Sequence, residues 1–188
     1  MTTIIDTSSL LTFVRYYLPF DKKGVLRGFI VEQVRQGMIV VLDVVWEECQ
    51  YVAQGIVAQE MNELKEFIED TTSLFPPSQR KMSNLLDENF SQRIIKNKLT
   101  DEEYKQQKQE FMKSADYKII VKSLQTRNMF EDERCVLTEE TSASNDNKVF
   151  KKLPIILKSQ NIPVINISQF LKNNGIDAEW YKRNTYGV

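Results

Sequence analysis

Histidine is absent from this chain of 188 residues. Its absence excludes Ser-His-Asp and Cys-His catalysis, and it excludes the zinc and iron sites that histidine ligates. Glycine is also scarce, with six residues, and the chain contains no Gly-rich loop of the kind that binds nucleotide phosphates. The remaining options for catalysis are carboxylates, lysines, hydroxyls and metal ions bound by oxygen.

Cysteine and long apolar runs are scarce as well. The two cysteines, Cys49 and Cys135, lie in apolar surroundings, which is typical of reduced, buried thiols in cytosolic proteins. The longest apolar run, residues 38–42, is too short to span a membrane, and the first residues lack the basic and apolar regions of a signal peptide. We therefore expect a cytoplasmic protein that does not enter a membrane.

The charge of the chain is nearly balanced, with 25 basic and 26 acidic residues and a net charge of -1. This balance argues against a strongly basic nucleic-acid binder but leaves room for a local basic face. A length of 188 residues suits one domain with one sizeable core. We interpret residues 1–188 as a single domain with a helical insertion at about 78–113, where Thr100 and Glu103 predict a capping box.

Short apolar segments alternate with helical patterns along the chain. Strands are predicted at 4–5, 38–42, 134–138 and 164–167. The segment 38–42 has no polar alternation, so both of its faces should be buried, as in a parallel sheet. The alternation predicts a three-layer α/β/α fold with a central parallel sheet.

Local signals also predict where helices begin and end. A long helix is expected at 57–71, and Pro154 should be the first residue of another. For the helix caps, the expected residues are Thr7 or Ser8, Asp43, and Ser168.

Acidic residues fall near the carboxyl ends of the predicted strands or in the first turns of the helices beside them. These residues are Asp6, Glu47, Glu48, Asp116, Glu139 and Glu140. Sites in parallel sheets form at that edge, and clustered carboxylates repel one another unless a cation neutralises them. Oxygen ligands favour Mg²⁺ or Mn²⁺, ions that can activate water and stabilise both oxygens of a displacement at a phosphodiester.

Four segments in this order resemble the PIN domains, a metal-dependent ribonuclease fold found in many bacterial toxins. They read Ile-Ile-Asp-Thr-Ser at 4–8, Val-Val-Trp-Glu-Glu-Cys at 44–49, Ala-Asp-Tyr-Lys-Ile-Ile at 115–120 and Val-Leu-Thr-Glu-Glu at 136–140. The segment at 162–166 is similar to the last strand of the family. Two departures stand out: the family often has aspartate where Glu140 stands, and the insertion near 78–113 is longer than in compact toxin members.

The resemblance implies a role for each matching residue. Asp6 and Asp116 would ligate the metal, Glu140 would be a further ligand, and Glu48 would be the remaining catalytic acid. Glu47 and Glu139 are the alternatives to Glu48 and Glu140. Ser8 and Thr138 would support the site by hydrogen bonding.

A basic rim beside these acids would hold an RNA backbone. Lysines between two of the acids are the candidates, among them Lys113, Lys118 and Lys122. The alternative is a solvated helix of mixed charge, since glutamates are interleaved with these lysines.

The function that we expect is hydrolysis of RNA phosphodiester bonds by a Mg²⁺- or Mn²⁺-dependent PIN-like ribonuclease. The resemblance to toxin members also implies an antitoxin partner and a homodimer. One alternative is a catalytically inactive PIN-like scaffold or protein-interaction module, in which the acids only cap helices. Another is a doubly wound, receiver-like phosphoryl-transfer domain. Metal binding separates the first expectation from the scaffold.

Overall fold

The central sheet is parallel throughout, as seen in a computed structural model that describes residues 2–126, 134–142 and 148–176. Its strands are β1 (Thr2–Ile5), β2 (Ile39–Val40), β3 (Arg134–Leu137) and β4 (Val164–Ile165), in the order β2-β1-β3-β4. β1 pairs with β3 over its whole length, and Ile5 lies opposite Leu137. The first and third segments of the chain therefore lie side by side and end at the same edge.

Helices surround this sheet and form the outer layers. They are α1 (Thr7–Thr12), α2 (Val25–Arg35), α3 (Asp43–Cys49), α4 (Ile56–Glu60), α5 (Gln79–Asn84), α6 (Arg93–Lys96), α7 (Asp101–Lys113), α8 (Ala115–Thr126), α9 (Leu153–Ser159) and α10 (Ile167–Asn173). Short 3-10 or π segments lie at Phe13–Tyr17, Leu18–Phe20, Val52–Gly55, Asn62–Phe67 and Leu85–Phe90. This architecture confirms the predicted three-layer α/β/α class.

The core lies on and around β1 and β3. Ile4, Ile5, Val136 and Leu137 have no exposed surface. Strands covered on both faces read as continuous apolar runs, which is why the sequence identified them. Among the described residues, no helix is both long enough and apolar enough to cross a membrane.

The start of α1 differs from the prediction, because its cap is Asp6 rather than Thr7 or Ser8. β1 ends at Ile5 and helical geometry begins at Thr7, so Asp6 is the residue left at the cap position with extended backbone. Its side chain accepts the N–H of Ser9, one of the donors that a helix start leaves unpaired.

The predicted helix at 57–71 is wrong. α4 ends at Glu60, a 3-10 segment covers Asn62–Phe67, and the chain then becomes extended. There Glu69 pairs with the end of β2: its N–H donates to the carbonyl of Val41, and its carbonyl accepts from Asp43, both at 2.9 Å. Pairing with the sheet edge thus outweighs the helix propensity of this Glu- and Lys-rich segment.

Three further boundaries shift by a few residues. α3 begins at Asp43 itself, whose carboxylate accepts from the backbone N–H of Val44 and from Thr71 instead of acting as the cap. α9 begins one residue before Pro154. The cap of α10 is Asn166, not Ser168, and it forms a capping box with Gln169.

Residues 78–113, interpreted as an insertion, form α5, the segment Leu85–Phe90, α6 and α7. The capping box of Thr100 and Glu103 at the start of α7 is confirmed. Asp87 ties the region together, since it accepts the Tyr104 hydroxyl at 2.7 Å and the Lys108 ammonium at 2.8 Å. The region is thus held by a polar network of its own.

Candidate functional site

A cavity of about 210 Å³ lies at the carboxyl edge of β1 and β3. α3 contacts both α1 and α8 beside it. The residues that line the cavity are Asp6, Thr7, Ser8, Leu11, Glu48, Val52, Ala115, Asp116, Ile119 and Glu140. The fold therefore brings four of the predicted acids, from four separate parts of the chain, to one cavity.

Asp6 is fixed in this cavity by three hydrogen-bond donors. Its carboxylate accepts the Thr138 hydroxyl at 2.6 Å, the Ser8 hydroxyl at 2.9 Å and the backbone N–H of Ser9 at 2.8 Å. Its own N–H donates to the carbonyl of Leu137 at 3.1 Å, which continues the pairing of β1 with β3. With 5% of its surface exposed, Asp6 is almost fully buried.

The two hydroxyl groups beside Asp6 also hold the chain that follows β3. Ser8 accepts the N–H of Glu139 at 3.0 Å, and Thr138 accepts the N–H of Glu140 at 3.1 Å. Each hydroxyl thus donates to Asp6 and accepts from the backbone. These are the two residues predicted to support the site, and this arrangement couples the position of Glu140 to that of Asp6.

Asp116 occupies the first turn of α8 and is partly buried. Its carboxylate accepts no hydrogen bond from any residue in the described ranges. Burial, together with the negative charges of Glu140, Asp6 and Glu48, raises the pKa of Asp116 to about 7. Asp116 is therefore an acid of this cavity whose charge no hydrogen-bond donor among the described residues compensates.

The pKa of Asp6 is also raised, but less than that of Asp116. The pKa of its carboxyl is raised to about 6, mainly by burial and to a smaller extent by the charge of Glu140. The hydrogen bonds from Thr138, Ser9 and Ser8 act in the opposite direction, because they stabilise the ionised form. The cavity thus holds mutually repelling carboxylates of which only Asp6 has a full set of donors.

The structure separates the adjacent glutamates that the sequence left as alternatives. Glu48 lines the cavity and accepts the Thr7 hydroxyl at 2.6 Å, whereas Glu47 is exposed on α3. Glu140 lines the cavity, whereas the carboxylate of Glu139 accepts the N–H of Ile167 at 2.7 Å at the start of α10. Of these four glutamates, Glu48 and Glu140 are the two that line the cavity.

The donor set of the cavity suits a hard divalent cation. All four side chains offer carboxylate oxygens, the ligands that Mg²⁺ and Mn²⁺ prefer, and the unpartnered Asp116 would gain most from a positive charge. In the part of the chain that the structure describes, no three acids converge closely enough to form a ready-made metal-binding group. The four side chains would therefore need to move together for several of them to bind one ion.

The lysines predicted to bind RNA do not line this cavity. Lys118 donates to the carbonyl of Thr71 at 3.1 Å, and Lys122 forms a salt bridge with Glu69. Lys113 is exposed in the last turn of α7. A different cation, Lys148, lowers the pKa of Asp116 by its charge. The local sequence gives no signal for Lys148, because its position depends on contacts with residues more than fifty positions away.

Residues 3–178 match the model of the family described as Domain of unknown function (DUF4411). No curated protein and no solved structure gives a significant match. The match covers nearly the whole chain and includes all four acids of the cavity. It also includes all of β2, β3 and β4, and β1 from its second residue onward. The chain therefore belongs to the DUF4411 family.

Proposed function

We propose that this protein is a Mg²⁺- or Mn²⁺-dependent ribonuclease that hydrolyses phosphodiester bonds of RNA. The observation that carries the proposal is the convergence of Asp6, Glu48, Asp116 and Glu140 on one cavity at the carboxyl edge of a parallel sheet. That edge is where open α/β sheets place their sites. The order of the four motifs, which resembles the PIN-domain pattern, supports the same function.

In this proposal Asp6, Asp116 and Glu140 hold the metal, and Glu48 is the fourth acid of the site. The bound ion would activate water and neutralise the charge that develops on the phosphate oxygens. Ser8 and Thr138 keep the Asp6 carboxylate in one orientation, and Thr7 does the same for Glu48. Such positioning is a large part of what a protein contributes to a displacement at phosphorus.

The cellular setting is part of the proposal. We place the protein in the cytoplasm, where Mg²⁺ and RNA are both available and where Cys49 and Cys135 would stay reduced; both thiols are free and buried in the structure. The resemblance to toxin-type PIN domains adds an antitoxin partner and a homodimer to the proposal.

The proposal is tested by incubating the purified protein with single-stranded and structured RNAs in the presence of Mn²⁺ or Mg²⁺. The matched variants are Glu48→Gln and Glu47→Gln, which remove the same charge from neighbouring residues of α3. Only Glu48 lines the cavity, so we expect Glu48→Gln to lower the cleavage rate at least about 100-fold and Glu47→Gln to leave it unchanged.

The double variant Asp6→Asn/Asp116→Asn and chelation by EDTA should both abolish cleavage. Equal cleavage by Glu47→Gln and Glu48→Gln would refute the assignment of the site. Cleavage that persists in EDTA would refute the metal-dependent mechanism. Cleavage that persists in the double variant would refute the assignment of Asp6 and Asp116 and point to a contaminating nuclease.

A catalytically inactive scaffold is the second candidate, and one observation favours it. Asp6 caps α1 and already has three hydrogen-bond donors, an arrangement that is complete without a metal ion. In a scaffold of this kind, the only role of Asp116 would be to stabilise the first turn of α8, where a negative charge interacts favourably with the helix dipole. Calorimetric titration with Mn²⁺ separates the two candidates, because the scaffold would show no binding.

A further inference from the structure

The charge of the cavity presents a problem for a nucleic-acid substrate. Four carboxylates line it, and an RNA backbone approaching it carries one negative charge per phosphate. The predicted lysines Lys118 and Lys122 are bound elsewhere, by Thr71 and Glu69. A cation at the rim of the cavity would lower the electrostatic cost of bringing a phosphate to it.

Lys148 is the candidate for this role. Its side chain is exposed, and it forms no salt bridge with any residue in ranges 2–126, 134–142 and 148–176. Its charge nevertheless acts on the carboxyl of Asp116, where it opposes the effect of the three neighbouring acids. The charge of Lys148 therefore acts on an acid that lines the cavity, and no salt bridge within the described residues neutralises it.

The helical region 78–113 holds the backbone of Lys148 in place. The side-chain amide of Gln92 donates to the carbonyl of Lys148 at 3.0 Å, and the backbone N–H of Gln92 donates to the carbonyl of Val149 at 2.7 Å. One residue further, Ser91 and Phe150 form an isolated antiparallel bridge, and the N–H of Lys151 donates to the carbonyl of Phe90 at 2.8 Å. Residues 148–151 are thus hydrogen-bonded to residues 90–92, at and just after the end of the segment Leu85–Phe90.

Aromatic packing joins the same segment to the helix that carries Asp116. The ring of Phe150 stacks on Phe111, with 4.3 Å between centroids, and also lies against Tyr104 at 6.2 Å. Phe111 in turn meets Tyr117 edge to face at 6.1 Å. Since Tyr117 directly follows Asp116, this row of rings connects the segment of Lys148 to the start of α8.

We infer that Lys148 is a substrate-positioning residue whose ammonium group binds a backbone phosphate of RNA beside the acidic cavity. Gln92 fixes the backbone of Lys148 at that place, so the helical region 78–113 acts as a brace for a substrate contact. This inference rests on the proposed ribonuclease function, since it specifies how that site would hold its substrate. A lysine suits the role, because its compact charge interacts with phosphate without requiring a particular base.

Binding of a fluorescent single-stranded RNA, measured by anisotropy at several salt concentrations with Ca²⁺ in place of the catalytic ion, tests the contact. We expect Lys148→Met to weaken binding about 3- to 10-fold and to lower the slope of log Kd against log salt by about 0.7, the effect of one lost phosphate contact. Lys148→Arg should retain most of the affinity, because it keeps the charge.

The matched control is Lys65→Met. Lys65 is also exposed, but it lies in the segment Asn62–Phe67, which contributes no residue to the cavity. This variant changes the net charge by the same amount and should leave the affinity and the salt slope nearly unchanged. Equal losses in Lys65→Met and Lys148→Met would mean that net charge alone is at work and would overturn the inference.

A double-mutant cycle tests the brace. Gln92→Ala removes the hydrogen bond to the carbonyl of Lys148 but keeps the lysine charge, so we expect it to weaken RNA binding by a smaller factor. In the Lys148→Met background the same substitution should have no further effect on RNA binding. An undiminished effect in that background would show that Gln92 acts on binding by another route and would overturn the positioning role.

The outcomes distinguish this inference from the proposed function. Metal-dependent cleavage by the wild type, with Lys148→Met equal to it in Kd and salt slope, overturns the inference and leaves the nuclease intact. If Lys148→Met binds RNA more weakly but the wild type cleaves no RNA, the proposed nuclease function is refuted and Lys148 remains a phosphate contact. Absence of measurable RNA binding by the wild type overturns the inference.

Discussion

Asp6 and Asp116 are both ionisable groups with little contact with solvent, but they differ in the number of hydrogen bonds that their carboxylates accept. Three donors reach the carboxylate of Asp6, and they offset part of the cost of its burial. Asp116 receives none within the described residues, and three acids face it. A group held in this way favours its protonated form, or it requires a cation.

This difference predicts how the stability of the metal-free protein changes with pH. In the unfolded chain both carboxyls release their protons near pH 3.8, whereas in the folded protein Asp6 keeps its proton to about pH 6 and Asp116 to about pH 7. The stabilising contribution of these two groups is therefore complete below pH 3.8 and is lost as the pH rises through 6 and 7.

The variant Asp116→Asn isolates this effect, because asparagine does not titrate. Relative to the wild type, we expect its free energy of unfolding without metal to rise by about 1–3 kcal/mol between pH 5 and pH 8. Urea unfolding at the two pH values measures the difference. Glu66→Gln removes one charge from an exposed position and serves as the control. A difference in unfolding free energy between Asp116→Asn and the wild type that stays constant with pH would contradict this effect of Asp116.

At the scale of elements, sequence patterns identified the strands and several helices, because each of these depends on local signals. β1 and β3 are buried on both faces, and the capping box of α7 lies within four consecutive residues. The prediction of a helix at 57–71 was wrong because Glu69 pairs with Val41 at the edge of the sheet. Helix propensity contains no information about such a distant partner.

The turn between α3 and α4 contains consecutive residues with left-handed backbone geometry. Ala53, Gln54 and Gly55 all have positive φ, at 52°, 61° and 73°. Val52, which begins this turn, lines the cavity. Two non-glycine residues in the left-handed region carry a conformational cost, so the surrounding packing must maintain the turn.

Gly55→Ala should therefore destabilise the protein by about 2 kcal/mol or more, since alanine is strained at positive φ. An added Cβ would also lie 2.6 Å from the backbone oxygen of Gln50. Gly28→Ala is the matched control, because Gly28 lies in α2 with open space around it and should gain about 0.5–1 kcal/mol. Thermal unfolding of both variants measures the changes, and equal Tm values would contradict this description of the turn.

For the whole molecule, the parallel topology explains why the acids could be predicted as a group. Any residue that follows β1 or β3 reaches the same edge, so Asp6 and the glutamates after Leu137 were expected together. The choice between Glu47 and Glu48 depends on the rotation of α3 against α1, which the sequence leaves open. The position of Lys148 could not be predicted from the sequence, because it depends on pairing with residues 90–92.

The net charge of -1 conceals an uneven distribution of charge over the molecule. Acids from four parts of the chain share one cavity of about 210 Å³, while lysines of α8 bind the segment around Glu69 and Thr71. A divalent cation would neutralise the cavity and relieve the repulsion that raises the pKa of Asp116. Metal binding is thus the property on which the proposed chemistry depends.

Calorimetric titration of the wild type and Asp6→Asn/Asp116→Asn with Mn²⁺ at pH 8 determines whether these acids bind a metal ion. This pH lies above the pKa values of about 6 and about 7, so both carboxyls are ionised in the wild type. We predict saturable binding by the wild type and none by the double variant. Absence of binding by the wild type, or equal binding by both proteins, would contradict a metal site at these acids.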